Sequence, residues 1–512
     1  MYYAPYMYQY PYPYYVAPIP DFRNQLLYQN YPQGVGILNP YYSSPFPNRQ
    51  GVVSLSIHRK KPFVSNIKKA SMLEKRSLSS YRENYAYSLG IQAYIYGYPL
   101  VTMERTRQLQ SSVKVPRDLT FTMSNVFVEY DKLFTPVDKD VVSPNVDTIY
   151  SIAWLDLKRE PVVLNVPDTN DRYYVMQLLD AWTNNFASIG RRTTGTGAGR
   201  FAIVGPDWKG ILPSGVKEVK APTNTVWILG RILVKGEDDL DNARAIQKQF
   251  TLTTLYEKKT PSVIMPANTL LIENKVEDLS APYFFKTMTD LMILNPTIDN
   301  EALEKQFEHI GIDLSYGFDA EKLDTETIAG LNRAAKDAFQ IIANSQEELN
   351  PRFTNGWIVY TGLGTYGDQF LKRAYIAFSG LGANVDEEAI YPRAFTDEQG
   401  NQLNGKYKYI LHFEKDQLPP VEAFWSLTMY GADFYLVPNE INRYAIAEYT
   451  PGLEYNEDGS LDIYIQKDRP INNESNWLPA PEGDFNLMLR MYQPAAKVVN
   501  GTYEIPGVKR VR

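Results

Sequence analysis

Cysteine is absent from the 512 residues, and histidine occurs only three times, at His58, His309 and His412. The first absence excludes disulfides, thiolate metal sites, iron–sulfur clusters and cysteine nucleophiles. The second leaves little for a zinc site or a Ser–His–acid triad, because the three imidazoles fall in a basic connecting stretch, a predicted helix and a predicted strand. Long apolar runs are missing as well. Nothing approaches the roughly 18 residues of a membrane-spanning helix, and the N-terminus lacks the basic start, apolar stretch and small-residue cleavage site of a signal peptide. The expectation is a soluble chain with no transmembrane segment, no cofactor and no metal, of undefined address: cytoplasmic, or associated with a surface or coat.

Charge is scarce at one end and unbalanced overall. The net charge is −7, yet residues 1–82 hold ten Lys/Arg against two Asp/Glu, so the remainder carries −15. A body this acidic argues against nucleic-acid binding, which depends on neutralising phosphates. The 44% hydrophobic and 22% charged fractions are those of a globular protein. At roughly 100–200 residues per domain, the length predicts two or three domains.

Residues 1–47 contain twelve Tyr and nine Pro but only two charges, Asp21 and Arg23. Proline this frequent prevents a helix or a central strand, and few aliphatics remain to build a core. The segment reads as a disordered, polyproline-like tail, able to attach the chain to a surface or coat layer or dispensable to it. Residues 48–80 read as a basic linker. The folded body then divides into a β-rich domain over 81–260, a helical connecting segment over 261–350, and a C-terminal β-sandwich over 351–512.

The pattern behind that division is local. Residues 81–101 are apolar and aromatic at helical spacing, with Gly97 and Pro99 expected to break the helix. Short β runs follow to about residue 235, punctuated by Gly, Pro, Asn and Asp. Amphipathic helices come next, one through Leu240, Ala243, Ile246 and Phe250, another through Ile328, Leu331, Ala335, Phe339 and Ile342 with Asp324 as its cap. Strands return from about 355, and Asn456–Gly459 reads as the turn of a hairpin. The fold class is mainly β with a helical insert: two β-sandwich or jelly-roll-like domains joined by helices.

Three polar concentrations carry the candidate chemistry. In the run 143–151, Asn145 and Asp147 share one face of an extended segment and Tyr150 lies on the other. An inward Asp needs a donor or cation; local backbone amides would satisfy it, and so would a ligand. The run 180–185 supplies Asp180, Trp182 and Asn184, and leads to the glycine-rich stretch 190–200 with Arg191 and Arg192. That stretch is neither a P-loop nor a dinucleotide fingerprint, since no Gly-Lys-Ser/Thr and no helix follow. It reads as a flexible hairpin loop or as an anion-recognition loop. In the third, Trp425, Leu427 and Met429 alternate with Ser426, Thr428 and Tyr430, so the apolar set should pack a core while the hydroxyl set faces water or a cavity beside Arg490.

The strings AYIYGYPLV, SPNVDTIYS, RRTTGTGAGRFAIVGPDWKG and TNTVWILGRILV within residues 80–250 resemble domain of unknown function 1254. NGW, YGDQFLKRAYIAFSGLGAN, LPPVEAFWSLTMYG and NWLPAPEGDFNLMLRMYQP within 355–495 resemble domain of unknown function 1214. The resemblance implies two β domains, the second jelly-roll-like, with helices between them and self-association as a homo-oligomer; it implies no settled activity. The residues themselves point to a pocket for a small organic or carbohydrate-like ligand, lined by Asn145, Tyr150, Trp182, Asn184, Arg191, Trp425, Thr428, Tyr430 and Arg490. The enzymatic alternative is a His-independent hydrolase or lyase with Asp147 or Asp180 as base, Arg192 stabilising developing charge and Tyr96 or Tyr150 donating a proton. It requires Asp147, Asp180 and Arg192 to converge. The third alternative is a scaffold without ligand.

Overall fold

Strand-forming runs between residues 127 and 254 close into two packed sheets. A computed structural model describes residues 64–115, 119–122, 124–139, 142–255, 263–264, 275–297 and 300–511. The Tyr/Pro-rich segment and the first half of the basic linker lie outside the described residues. The larger sheet of the first β unit runs Val263–Ile264, Phe127–Tyr130, Thr148–Asp156, Thr225–Leu233, Tyr174–Asp180, Asn185–Gly190. The smaller runs Thr251–Thr254, Val162–Val166, Gly199–Val204, Lys217–Lys220. Period-two alternation explains the layering. Ile149, Ala153 and Leu155 point between the sheets with Leu164, Phe201 and Ile203. Ile152 and Trp154 point outward, where Trp154 stacks on Trp227 with ring centroids 5.1 Å apart.

The second unit is also a two-sheet sandwich. Its main sheet runs Arg352–Thr354, Trp357–Val359, Arg393–Ala394, Phe485–Pro494, Val421–Gly431, Ala445–Ala447, with Ala389–Ile390 also paired to the Phe485–Pro494 strand. The facing sheet runs Trp477–Pro479, Leu461–Gln466, Lys408–Phe413, Val508–Val511. Trp425, Leu427 and Met429 fill the core between them, as their alternation requires. The Asn456–Gly459 turn forms, with the Gly459 amide donating to the Asn456 carbonyl at 2.8 Å. It does not join a hairpin, because the strand after it pairs with Lys408–Phe413 and Trp477–Pro479.

Seven α-helices occur among the described residues: α1 (Val64–Ser111), α2 (Leu240–Gln247), α3 (Ala281–Leu294), α4 (Glu301–Phe307), α5 (Thr325–Ala343), α6 (Phe370–Ser379) and α7 (Ala496–Val499). None is long and apolar enough to cross a membrane. The helical layer is wider than the segment 261–350. It gathers α1, α3, α4, α5 and α6 around one apolar core, so both an N-terminal helix and a helix from within 351–512 contribute. α1 also begins at Val64, inside the stretch read as linker.

α1 passes through Gly97 and Pro99 without ending, contrary to the local expectation. A proline inside an isolated helix costs about 3 kcal/mol. Here Ala93, Tyr94, Tyr96, Tyr98, Leu100 and Val101 are all buried in the helical core, and that burial outweighs one missing backbone bond. Gly97 serves close approach: a Cβ there would stand 2.0 Å from Met288 Sδ on α3.

Candidate functional site

The central strand Thr225–Leu233 decides where the two candidate carboxylates stand. Asp180 pairs across it with Val226, whereas Thr148 pairs with Leu233 and the Asp147 carbonyl accepts from the Val234 amide. At about 3.3 Å per residue, opposite ends of that strand place the two acids on the order of 25 Å apart. A glycosidase-type pair needs roughly 5–10 Å. Asp147 and Asp180 therefore form no acid–base pair, and Asn145, Trp182 and Arg192 do not share one hollow.

At one end, Asp180 makes the local turn first considered for Asp147. Its Oδ1 accepts from the backbone amides of Trp182 at 2.8 Å and Asn184 at 2.9 Å, and its Oδ2 from Asn184 Nδ2 at 3.0 Å. Burial raises the Asp180 carboxyl above the usual aspartate range, with those Asn184 and Trp182 donors pulling the other way. The Trp182 indole donates to the Asn295 carbonyl and packs 4.9 Å from the Tyr96 ring. The Tyr96 hydroxyl donates to Glu304 at 2.6 Å. Burial, followed by Glu304, holds that phenol far above its ordinary range, which makes it a poor proton donor. Arg373 on α6 lies over the Tyr96 and Trp182 rings at 5.5 and 5.2 Å. Trp182, Asn184 and Tyr96 thus belong to the packing between the first β unit and the helices.

At the other end the two β units meet. Tyr173, Val175 and Leu233 pack against Ala389, Phe424 and Tyr492. Asn145 Nδ2 donates to the Tyr492 hydroxyl at 2.6 Å. Asp147 accepts from Ser426 Oγ at 2.5 Å and from the Tyr449 hydroxyl at 2.8 Å, both across the seam. Thr428 and Tyr430 face the same way, and Arg490 donates to both at 2.7 Å and to the Ser143 carbonyl at 3.0 Å. The hydroxyl face of the Val421–Gly431 strand therefore meets a protein partner, while Trp425 lies inside the sandwich and is removed from any ligand. Tyr150 is half-buried against Phe134, with Arg231 5.7 Å from its ring.

The glycine-rich stretch is exposed along much of its length but is not a hairpin loop. Its flanking strands belong to different sheets of the first unit. Arg191 Nη1 donates to Gln493 Oε1 at 2.7 Å and to the Glu422 carbonyl at 2.9 Å; Arg192 Nε donates to the buried Glu388 at 2.7 Å. Glu388 also accepts from the Tyr173 hydroxyl at 2.8 Å. Both arginines bridge the units, and the Arg192–Glu388 pair means that Arg192 is not a free electrophilic group. The four residues offered as catalytic separate into two pairs, Asp147 with Arg192 and Asp180 with Tyr96, at opposite ends of the sheet.

A cleft of about 160 Å3 opens along this seam. The first unit contributes Tyr173, Arg191 and Lys235 to its wall, the second Ala423, Glu448 and Tyr449. Of the predicted ligand-binding residues, only Arg191 lines it. Tyr449 connects the cleft to the interior, since its ring faces the opening and its hydroxyl donates to Asp147. Burial first, then the adjoining carboxylates, hold the Tyr449 and Tyr173 phenols well above the ordinary range, so both remain protonated. Desolvation raises the Glu448 carboxyl, opposed by Lys235. Sequence reasoning missed Tyr173, Lys235, Glu388, Ala423, Glu448 and Tyr449. Only the apolar–polar alternation through Ser426 pointed to their side of the seam. No group of three or more His, Cys, Asp or Glu suited to a metal ion occurs among the described residues.

Residues 124–254 match the family described as protein of unknown function (DUF1254), and residues 388–496 match protein of unknown function (DUF1214). The chain carries both domains. The DUF1254 match holds Asp147, Asp180, Arg191 and Lys235, and the DUF1214 match holds Glu388, Ala423, Ser426, Tyr449 and Arg490, so the cleft lies where the two domains touch. α1, α3, α4, α5 and α6 fall outside both matches. No curated protein matches the chain. The crystal structure of a protein from Vibrio parahaemolyticus is similar at 24% identity and a TM-score of 0.63, covering 83% of this chain and 100% of its own. That likeness establishes the multidomain α+β fold. An uncharacterised Burkholderia cenocepacia protein covers 88% of this chain and 98% of its own at 10% identity and a TM-score of 0.37.

Proposed function

We propose that the chain binds a small polar organic ligand in the cleft between its DUF1254 and DUF1214 domains. The observation that carries this reading is the 160 Å3 opening walled by both domains and lined by tyrosine and charged side chains. A cavity of about 150 Å3 accommodates a benzene-sized molecule, so the ligand is on the order of six to ten non-hydrogen atoms. Concave sites with a few fixed polar groups are the usual form of small-molecule sites. Tyr173 and Tyr449 are fixed here by hydrogen bonds to the buried carboxylates Glu388 and Asp147. On composition alone, residues 1–47 are the part that would join the chain to a surface layer.

The test is a thermal-shift screen of the full chain against monosaccharides, small carboxylates and small amino compounds. A ligand at a hundred times its Kd stabilises the folded state by about 2.7 kcal/mol, a shift of several degrees. Ala423→Trp, which fills the cleft, and Lys235→Met, which alters its wall, should each remove or weaken the shift. A compound that stabilises both variants as well as the parent binds elsewhere and defeats the proposal; so does a screen with no stabilising compound.

A further inference from the structure

The fold leaves hydrogen-bonding capacity of both signs unused around the cleft. Arg191 spends Nη1 on Gln493 and Glu422 and holds Nε 3.4 Å from Asp171, while Nη2 has no partner among the described residues. The Lys235 ammonium and the Glu448 carboxylate both line the opening, and neither side chain makes a hydrogen bond or an ion pair within 4.0 Å among the described residues. The Tyr449 hydroxyl is turned inward to the buried Asp147, so its oxygen belongs to the interior and not to the wall. The wall thus offers two cationic donors, Lys235 and Arg191, and two carboxylates, Glu448 and Asp171, while its remaining cation, Arg172, is paired with Asp239. Ala423 and Leu233 supply its apolar part.

A neutral sugar would meet these charges only through dipoles, and a simple carboxylate would satisfy the donors while adding a negative charge beside Glu448 and Asp171. Charge-assisted bonds are roughly twice as strong as neutral ones, which favours a ligand carrying both signs. We propose that the cleft takes a small zwitterion of the α-amino acid type, its carboxylate against Lys235 and Arg191 Nη2, its ammonium against Glu448, and its side chain toward Ala423 and Leu233. This inference rests on the reading of the cleft as a ligand site and narrows the ligand to one chemical class.

Isothermal titration of the full chain with L-alanine, L-serine, L-valine, propionate, ethylamine and D-glucose separates the classes. At least one amino acid should bind, with propionate and ethylamine each about tenfold weaker or worse, the usual cost of leaving a built polar group unpaired. Glu448→Gln should weaken the amino acid about tenfold while leaving propionate unchanged, and Lys235→Gln should weaken propionate while leaving ethylamine unchanged. Both positions are exposed, so these variants keep the fold. Propionate or glucose binding as tightly as the amino acids would overturn the zwitterion class and leave the cleft as a ligand site. Failure of all six to bind would overturn the class and count against the site itself.

Discussion

Replacing Asp147 with alanine should be among the most destabilising changes at the seam. The side chain is 2% exposed and accepts two hydroxyl hydrogen bonds from the second unit. It is also the carboxylate that acts on the buried Arg490, whose direct partners are hydroxyl and carbonyl oxygens. Truncation leaves the Ser426 and Tyr449 hydroxyls without their acceptor, at about 1–3 kcal/mol each, and removing one member of a buried charge pair costs about 3–5 kcal/mol. These costs overlap, so the expected loss is about 4 kcal/mol. At about 2–4 °C per kcal/mol for units of this size, calorimetry should record a fall of roughly 10 °C. Asp147→Asn keeps one acceptor oxygen and loses the charge, and about half the effect should remain. A cycle with Arg490→Met isolates the charge contribution, because Asp147→Asn should cost less once Arg490 is gone. An Asp147→Ala protein within about 1 kcal/mol of the parent would refute the argument.

Two further changes probe packing and protonation. Gly330→Ala on α5 should destabilise by about 1–3 kcal/mol in urea unfolding, against a helix propensity that favours alanine by about 1 kcal/mol, because the added Cβ would stand 2.4 Å from the Glu83 carbonyl oxygen on α1; a more stable variant would show that α1 and α5 do not pack this closely. His412 hydrogen-bonds Asp462 at 2.7 Å, and that contact, against a smaller desolvation, raises the imidazole above its ordinary value of 6.5. A raised cation contributes its full stability below the unfolded pKa of about 6.5 and loses it as pH rises through the folded value. His412→Gln should therefore cost a few tenths of a kcal/mol at about pH 5.5 and less at about pH 9; an equal cost at both would refute the pairing.

Features set by neighbours in the chain were readable from the sequence. Alternation placed Trp425, Leu427 and Met429 in the sandwich core, and 3.6-residue spacing placed Leu331, Ala335, Phe339 and Ile342 on the buried face of α5. Asp324 caps α5 by accepting from the Thr327 amide at 2.7 Å. α1 was misread at Pro99 because its stability comes from α3, α5 and α6, elements that begin well over a hundred residues downstream. The distance between Asp147 and Asp180 was unreadable for a related reason. Each run supplies a strand, but the register against Thr225–Leu233, which sends them to opposite ends, is a property of the sheet.

The cleft residues were hidden more deeply, because nothing local marks them. Glu388 follows two other acids, Asp386 and Glu387, yet it is 1% exposed and holds Tyr173 and Arg192 from the other unit. The clue lay in the hydroxyl face of the Val421–Gly431 strand. A sandwich strand buried on one face ordinarily shows polar residues to water on the other. Ser426, Thr428 and Tyr430 are all fully buried, which requires a second surface with matching acceptors. Asp147 and the Ser143 and Pro144 carbonyls form that surface, while Arg490, on the neighbouring strand of the same sheet, donates to Thr428, Tyr430 and the Ser143 carbonyl. The polar side of one domain is therefore completed by the other, and the cleft beside Tyr449 is walled by groups from both.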